Sequence, residues 1–151
     1  MGSAKKPYRQ SPPLNEEELK AFLNQALVAR LGSLNPDGSI HLVPVWFKYE
    51  EGDILIGTDE RTRKAKNIQR NQDVSLLIDS PERPYKGVLI YGQAQLDHDD
   101  ALGKRIAILA RHLPAEIAQK VGHDLASQFA LITIRIKPQR IISFDDAKRE
   151  R

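Results

Sequence analysis

Cysteine is absent from this 151-residue chain, and tryptophan and methionine occur once each. Without a thiol there is no disulfide, no thiolate metal centre and no cysteine nucleophile, and a reducing compartment is the natural setting. Aromatic residues make up only 6% of the chain. That is few for the interleaved basic and aromatic surface that binds single-stranded nucleic acid. No apolar run approaches the length of a membrane span, and no signal-peptide core is recognisable at the N-terminus. Excess charge is missing as well: the net charge of +3 gives no reason to expect general DNA or RNA binding. The GxSxG, Walker A and Rossmann glycine patterns are absent. The four histidines, His41, His98, His112 and His123, show no metal-ligand spacing, and each reads as a surface or cap residue. Asp97-His98-Asp99-Asp100 looks metal-like, but acids at a helix start are explained by capping and the helix dipole. The expectation is a soluble, cytoplasmic, single-domain protein whose hard chemistry, if it is an enzyme, comes from a cofactor.

What is present alternates between strand and helix. Residues 1–13 contain Pro7, Pro12 and Pro13 and read as an extended arm, residues 14–145 as one domain, and residues 146–151 as a charged tail. Asn15 before Glu16-Glu17-Glu18 is a helix start, with a cap followed by acids on the positive end of the dipole. A strand reaches Leu34, Asn35-Pro36-Asp37-Gly38-Ser39 makes a hairpin turn, and a long strand runs from Ile40 to Tyr49. A tight Glu50-Glu51-Gly52 turn leads to a short β-branched strand, Asp53–Thr58. Further strands are expected over Asp73–Asp79, Tyr85–Leu96 and Phe129–Ile136, the last interrupted by Pro138 before resuming over Ile141–Phe144. Asp97 or Asp99 caps a helix over Ala101–His112, and Pro114 restarts a short one. Strands outnumber helices about two to one, at the spacing of a mainly β barrel or sandwich.

The basic segment after Thr58 is the lead to function. Thr58 or Asp59 is placed to cap a helix whose first turns carry Arg61, Arg63, Lys64 and Lys66. Residues 61–70 contain no acid. Basic side chains belong at the other end of a helix, so four near its start cost stability unless an anion meets them. A helix start with free N–H groups suits a phosphate. The same run reads equally as a solvated basic face or a weak nucleic-acid patch.

Pro44 lies inside the strand Ile40–Tyr49 and cannot donate to a sheet ladder. It marks either an edge position or bulge, or a locally unpaired stretch whose free backbone groups bind a planar ligand. Trp46, two residues on, reads as core packing or as part of that ligand site.

The segment VPVWFKYEEGDILIGTDERTRKAKNIQRNQDVSLLID, followed by Tyr85-Lys86-Gly87-Val88-Leu89-Ile90-Tyr91-Gly92, resembles the flavin-binding split β-barrel of the pyridoxamine 5′-phosphate oxidase-like superfamily. More narrowly, it is similar to the small flavin/deazaflavin-dependent oxidoreductases, which bind FMN or the deazaflavin F420. The resemblance covers roughly residues 15–144. Its most specific part is Thr58, ending a strand six residues before the lysine of Arg63-Lys64-Ala65-Lys66-Asn67-Ile68. The resemblance implies a mainly β (α+β) split β-barrel with peripheral helices. It puts Thr58, Arg63 and Lys64 on the cofactor phosphate, with Arg61 as a helper, and lays Val43, Pro44, Val45 and Trp46 along the flavin-type ring. It implies a homodimer whose cofactor sites lie at the subunit interface. The chain departs from vitamin B6 oxidases proper: no C-terminal tryptophan and arginine–histidine element follows Phe144, and their flavin-contacting glutamine is replaced near Lys86-Gly87. Vitamin B6 oxidation is therefore not expected. The expectation is an oxidoreductase moving hydride to or from a small organic substrate with FMN or F420, F420 being favoured by the basic surroundings of the phosphate. The alternative is a non-catalytic flavin or deazaflavin store or sensor, and a small nucleic-acid-binding barrel ranks last.

Overall fold

The computed structural model describes residues 2–149. Seven antiparallel strands form a single sheet: β1 (Val28–Leu34), β2 (Ile40–Trp46), β3 (Lys48–Glu50), β4 (Asp53–Asp59), β5 (Asp73–Asp79), β6 (Lys86–Asp97) and β7 (Leu131–Asp145). Their order is β2-β1-β5-β6-β7-β4-β3. The two edge strands, β2 and β3, are separated in sequence by Phe47 alone. A sheet whose opposite edges are joined by one residue must curl until those edges meet, so the topology itself closes a split β-barrel. Phe47 is fully buried at this seam, among Ile54, Ile56, Leu76, Ile78, Val88, Ile90 and Ile134. The long strand expected over Ile40–Tyr49 is thus two strands, broken where the chain passes from one edge to the other.

Four helices decorate the barrel: α1 (Glu16–Leu23), α2 (Arg63–Arg70), α3 (Ala101–Leu109) and α4 (Ala115–Gln128). Helix α1 starts as the sequence predicts, with Asn15 and Glu18 in a reciprocal capping box. It buries Phe22 and Leu23 in the barrel core. Between β3 and β4, Glu51 and Gly52 both take positive φ, as a two-residue hairpin turn requires.

Several expected details are corrected. Strand β7 is continuous through Pro138, because the register shifts there: Tyr91 faces Arg140 and Gly92 faces Pro138, leaving Gln139 as the extra residue of a bulge. A bulge tolerates a residue with no N–H to offer. Gly92 is required at this point, since a Cβ would lie 2.6 Å from the Lys137 carbonyl oxygen. Helix α3 is capped by Asp100, in the left-handed conformation, rather than by Asp97 or Asp99. Asp97 instead binds Lys104 at 2.8 Å. Helix α4, expected to be short, runs for 14 residues.

The arm is extended but not free. Pro12 accepts a hydrogen bond from Asp145 N, and Ser11 donates to Asp146. The tail begins as a short 3-10 turn over Asp146–Lys148, and its last residues, 150 and 151, lie outside the described region. Among the described residues, no helix is long and apolar enough to cross a membrane.

Candidate functional site

A pocket of about 400 Å³ opens at the seam of the barrel, where β2, β4, α2 and α3 converge. Its walls are Val28, Pro44, Val45 and Trp46 on the strand-edge side, Gly57 on the floor, and Lys64, Arg105, Ile108 and Leu109 from the helices. No acid lines it.

Strand β2 is an edge strand, paired only with β1, and Arg30 stands opposite Pro44. The proline therefore occupies an edge position, and residues 44–46 of that edge strand line the pocket. The edge reading of Pro44 holds: its missing N–H is tolerated there, and the pairing with β1 runs unbroken from Ile40 to Trp46, so the strand is not locally unpaired. Trp46 is not core. It is 38% exposed, and its ring stacks on His112 with centroids 4.1 Å apart and planes 9° from parallel. His112, expected at the surface or in a cap, is half-buried in the link between α3 and α4. Its Nε2 is buried without a hydrogen-bond partner among the described residues. Burial, and then the charge of Arg111, hold its pKa below the ordinary histidine value.

Along β4, side chains alternate between faces, so Gly57 and Thr58 point in opposite directions. Gly57 faces the pocket. Thr58 is buried behind it and bonds the Thr62 hydroxyl at 2.9 Å. Thr62, not Thr58 or Asp59, caps α2: its hydroxyl accepts from Ala65 N and donates to the Asp59 carbonyl at 2.9 Å. The helix therefore begins at Arg63, and Arg61 lies outside it.

That one-turn difference separates the basic residues. Arg61 is engaged by Asp59 through two hydrogen bonds of 3.0 and 2.9 Å. Asp59 also accepts from the backbone N–H groups of Arg61 and Ala130. These contacts, the Arg61 side chain foremost, hold its carboxyl well below the usual carboxylate range. Arg63 and Lys66 are exposed, and Arg70 bonds the Leu34 carbonyl. Only Lys64 turns into the pocket. It is half-buried, without an ion-pair partner among the described residues, and burial followed by the charge of Arg105 lowers its pKa.

Arg105 gave no sequence signal by itself. It reaches from α3 over Gly57, whose missing Cβ would lie 2.3 Å from Arg105 Cδ. A glycine inside an otherwise β-branched strand marks such a close approach, and was the only clue available. The structure thus brings together Pro44, Val45, Trp46 and Lys64 from the sequence-derived set and adds Gly57 and Arg105. Val43 packs against the core, Thr58 lies behind the wall, and Arg61 and Arg63 lie outside. Among the described residues no cluster of His, Asp and Glu suits a metal ion. A half-enclosed pocket with two cations, no acid and an open strand edge suits a ligand that carries a planar group and an anion.

No curated protein matches the sequence. Among solved structures, a conserved hypothetical protein, Rv2991 from Mycobacterium tuberculosis, superposes with a TM-score of 0.80 at 22% identity, over 95% of this chain and 92% of that one. A structure described as an F420 reductase gives 0.66 at 19% identity, over 82% and 94%. HutZ, the heme storage protein of Vibrio cholerae, gives 0.65 at 17% identity, over 86% and 93%. These likenesses establish the fold. Residues 15–143, the span that builds the barrel and contributes every wall of the pocket, match the pyridoxamine 5′-phosphate oxidase family, and the chain belongs to that family.

Proposed function

We propose that this protein is an oxidoreductase that holds FMN or F420 noncovalently in the seam pocket and serves hydride transfer to or from a small organic substrate. The carrying observation is Lys64: a half-buried cation without an ion-pair partner among the described residues, facing an open strand edge at Pro44 and Trp46. Lys64 would meet the cofactor phosphate, while the edge of β2 from Pro44 to Trp46 would lie along the ring. When bound, such a cofactor supplies a hydride donor or acceptor. The chain's own residues would orient the ring, and Ile108 and Leu109 would give it an apolar wall. A homologous fold in a structure described as an F420 reductase supports this reading.

A second reading is a non-catalytic cofactor store or sensor: among the described residues the pocket wall carries no carboxylate or histidine that would serve as an acid or base. A homologous fold in a heme storage protein is consistent with it. We further infer a homodimer in the cytoplasm. The outer face of β1, β2, β5 and β6 exposes Ile40, Leu42, Leu77 and Tyr91, with Ile40 at 71% and Leu42 at 65%. Such an apolar face is the kind that a second copy covers.

The test is an absorption spectrum of protein purified from a host that makes FMN but not F420, followed by titration with each. A yellow protein with a flavin spectrum selects FMN. A colourless protein that binds F420 and ignores FMN selects the deazaflavin. Binding neither overturns the reading. Turnover with a hydride donor separates the enzyme from the store.

A further inference from the structure

We propose that Arg105 is a second phosphoryl-binding residue of the pocket, paired with Lys64 and given its place by Gly57. The inference rests on the cofactor reading above and deepens it.

Three observations converge. Arg105 and Lys64 come from different helices, α3 and α2, yet line one pocket on which the described residues place no acid. Neither has an ion-pair partner among the described residues, whereas Lys104, next to Arg105 in sequence, has Asp97 and Asp99. Burial disfavours both charges and lowers both pKa values, and the charge of Arg105 lowers that of Lys64 further. Protein structures tolerate that arrangement when an anion completes it. Finally, the approach is built in: Gly57 leaves the space through which Arg105 crosses β4, and a Cβ there would meet Cδ at 2.3 Å and Nη1 at 2.7 Å.

The shared ligand chemistry is a phosphoryl group. A guanidinium matches two phosphate oxygens in a forked geometry, and the ammonium of Lys64 adds a point charge. Two sources present that group: the monoester of FMN, carrying close to two negative charges, and the diester of F420, carrying one. The alternative place for an arginine beside a flavin-type ligand is the ring itself, so the experiment must separate phosphate from ring.

Affinities of FMN and riboflavin are to be compared by titration of the full chain, for wild type, Arg105→Gln, Arg105→Lys and Gly57→Ala. Riboflavin has the ring without the phosphate. If the protein selects F420, the same comparison uses F420 and its phosphate-free deazaflavin chromophore. Arg105→Gln is expected to weaken the phosphorylated ligand about tenfold or more, the range of a charge-assisted hydrogen bond, and to leave the phosphate-free ligand within about twofold. Arg105→Lys restores part of the loss. Gly57→Ala reproduces the same selective loss with Arg105 still present, and the double variant adds little to either single one. Equal losses for both ligands would place Arg105 at the ring or in the scaffold and overturn the proposal. Unchanged binding of the phosphorylated ligand overturns it as well. If wild type binds none of the four ligands, the cofactor reading falls and this inference with it.

Discussion

Trp46 at the end of β2 and His112 in the link between α3 and α4 stack face to face, 4.1 Å apart and 9° from parallel. The contact ties the open strand edge to the helical hairpin that carries Arg105, so it joins the two sides of the pocket. An aromatic pair of this kind contributes about 0.5–1.5 kcal/mol beyond its buried area. His112→Ala is therefore expected to lower stability by about that amount and to weaken cofactor binding a few-fold, by loosening Trp46. Unfolding in denaturant and a cofactor titration check it; unchanged values for both would reduce the stack to a passive contact.

The same pair predicts a pH dependence. Burial and Arg111 lower the pKa of His112 in the folded protein, so the neutral ring is favoured there. Its contribution to stability is complete above the unfolded-state value of about 6.5 and is lost as pH falls through the depressed folded value. Trp46 is the only tryptophan, so its fluorescence reports directly on the partner ring. A quenching transition with a midpoint below about 6.5 is expected, and should vanish in His112→Gln. A midpoint above that value would contradict the half-buried, neutral histidine.

Lys64 and Arg61 separate the pocket from the solvated surface. Lys64→Ala should weaken binding of the phosphorylated cofactor by about 1.5–3 kcal/mol, the scale of a charge-assisted hydrogen bond. Arg61→Ala should change affinity by less than about threefold, since its guanidinium is already taken by Asp59 and largely solvated. Equal effects in calorimetry would mean that Arg61 leaves Asp59 when the cofactor binds.

Thr62 holds the start of α2. Its hydroxyl lies 3.4 Å from Ala65 N, a long capping contact, so Thr62→Ala should cost about 0.5–1 kcal/mol, the lower part of the usual range. Because Thr58 and Asp59 both bond that hydroxyl, the substitution should also loosen the turn that presents Lys64. A lower melting temperature together with weaker cofactor binding is the expected pair of results, and a purely stabilising outcome would deny the cap.

The apolar outer face tests the assembly. Leu42→Lys places a charge at its centre and should convert a dimer to a monomer in sedimentation equilibrium, with loss of cofactor affinity if the second subunit completes the site. A wild-type chain that sediments as a monomer would leave that face without a second copy.

Much of this was legible in the chain. Alternating apolar residues marked the strands because one face of each is buried, and Ile132, Ile134 and Ile136 lie in the core as that period requires. Asn15 and the acids Glu16-Glu17-Glu18 announced α1 because a cap and the helix dipole act within one turn, and the structure adds the reciprocal bond from Glu18. The basic segment pointed to an anion, and Pro44 to an unusual edge, because each breaks a local rule. Which cation faces the pocket was not local. The run from Arg61 to Arg70 looks uniform in sequence, but Asp59 claims Arg61 and moves the helix start to Thr62, leaving Lys64 as the residue turned inward. Nor could the sequence place Arg105 over Gly57, or His112 on Trp46, since those partners are set by how α3 crosses the barrel. Periodicity records which face of an element is buried. It carries no information about which distant side chain meets it there, and that choice belonged to the closing of the sheet at Phe47.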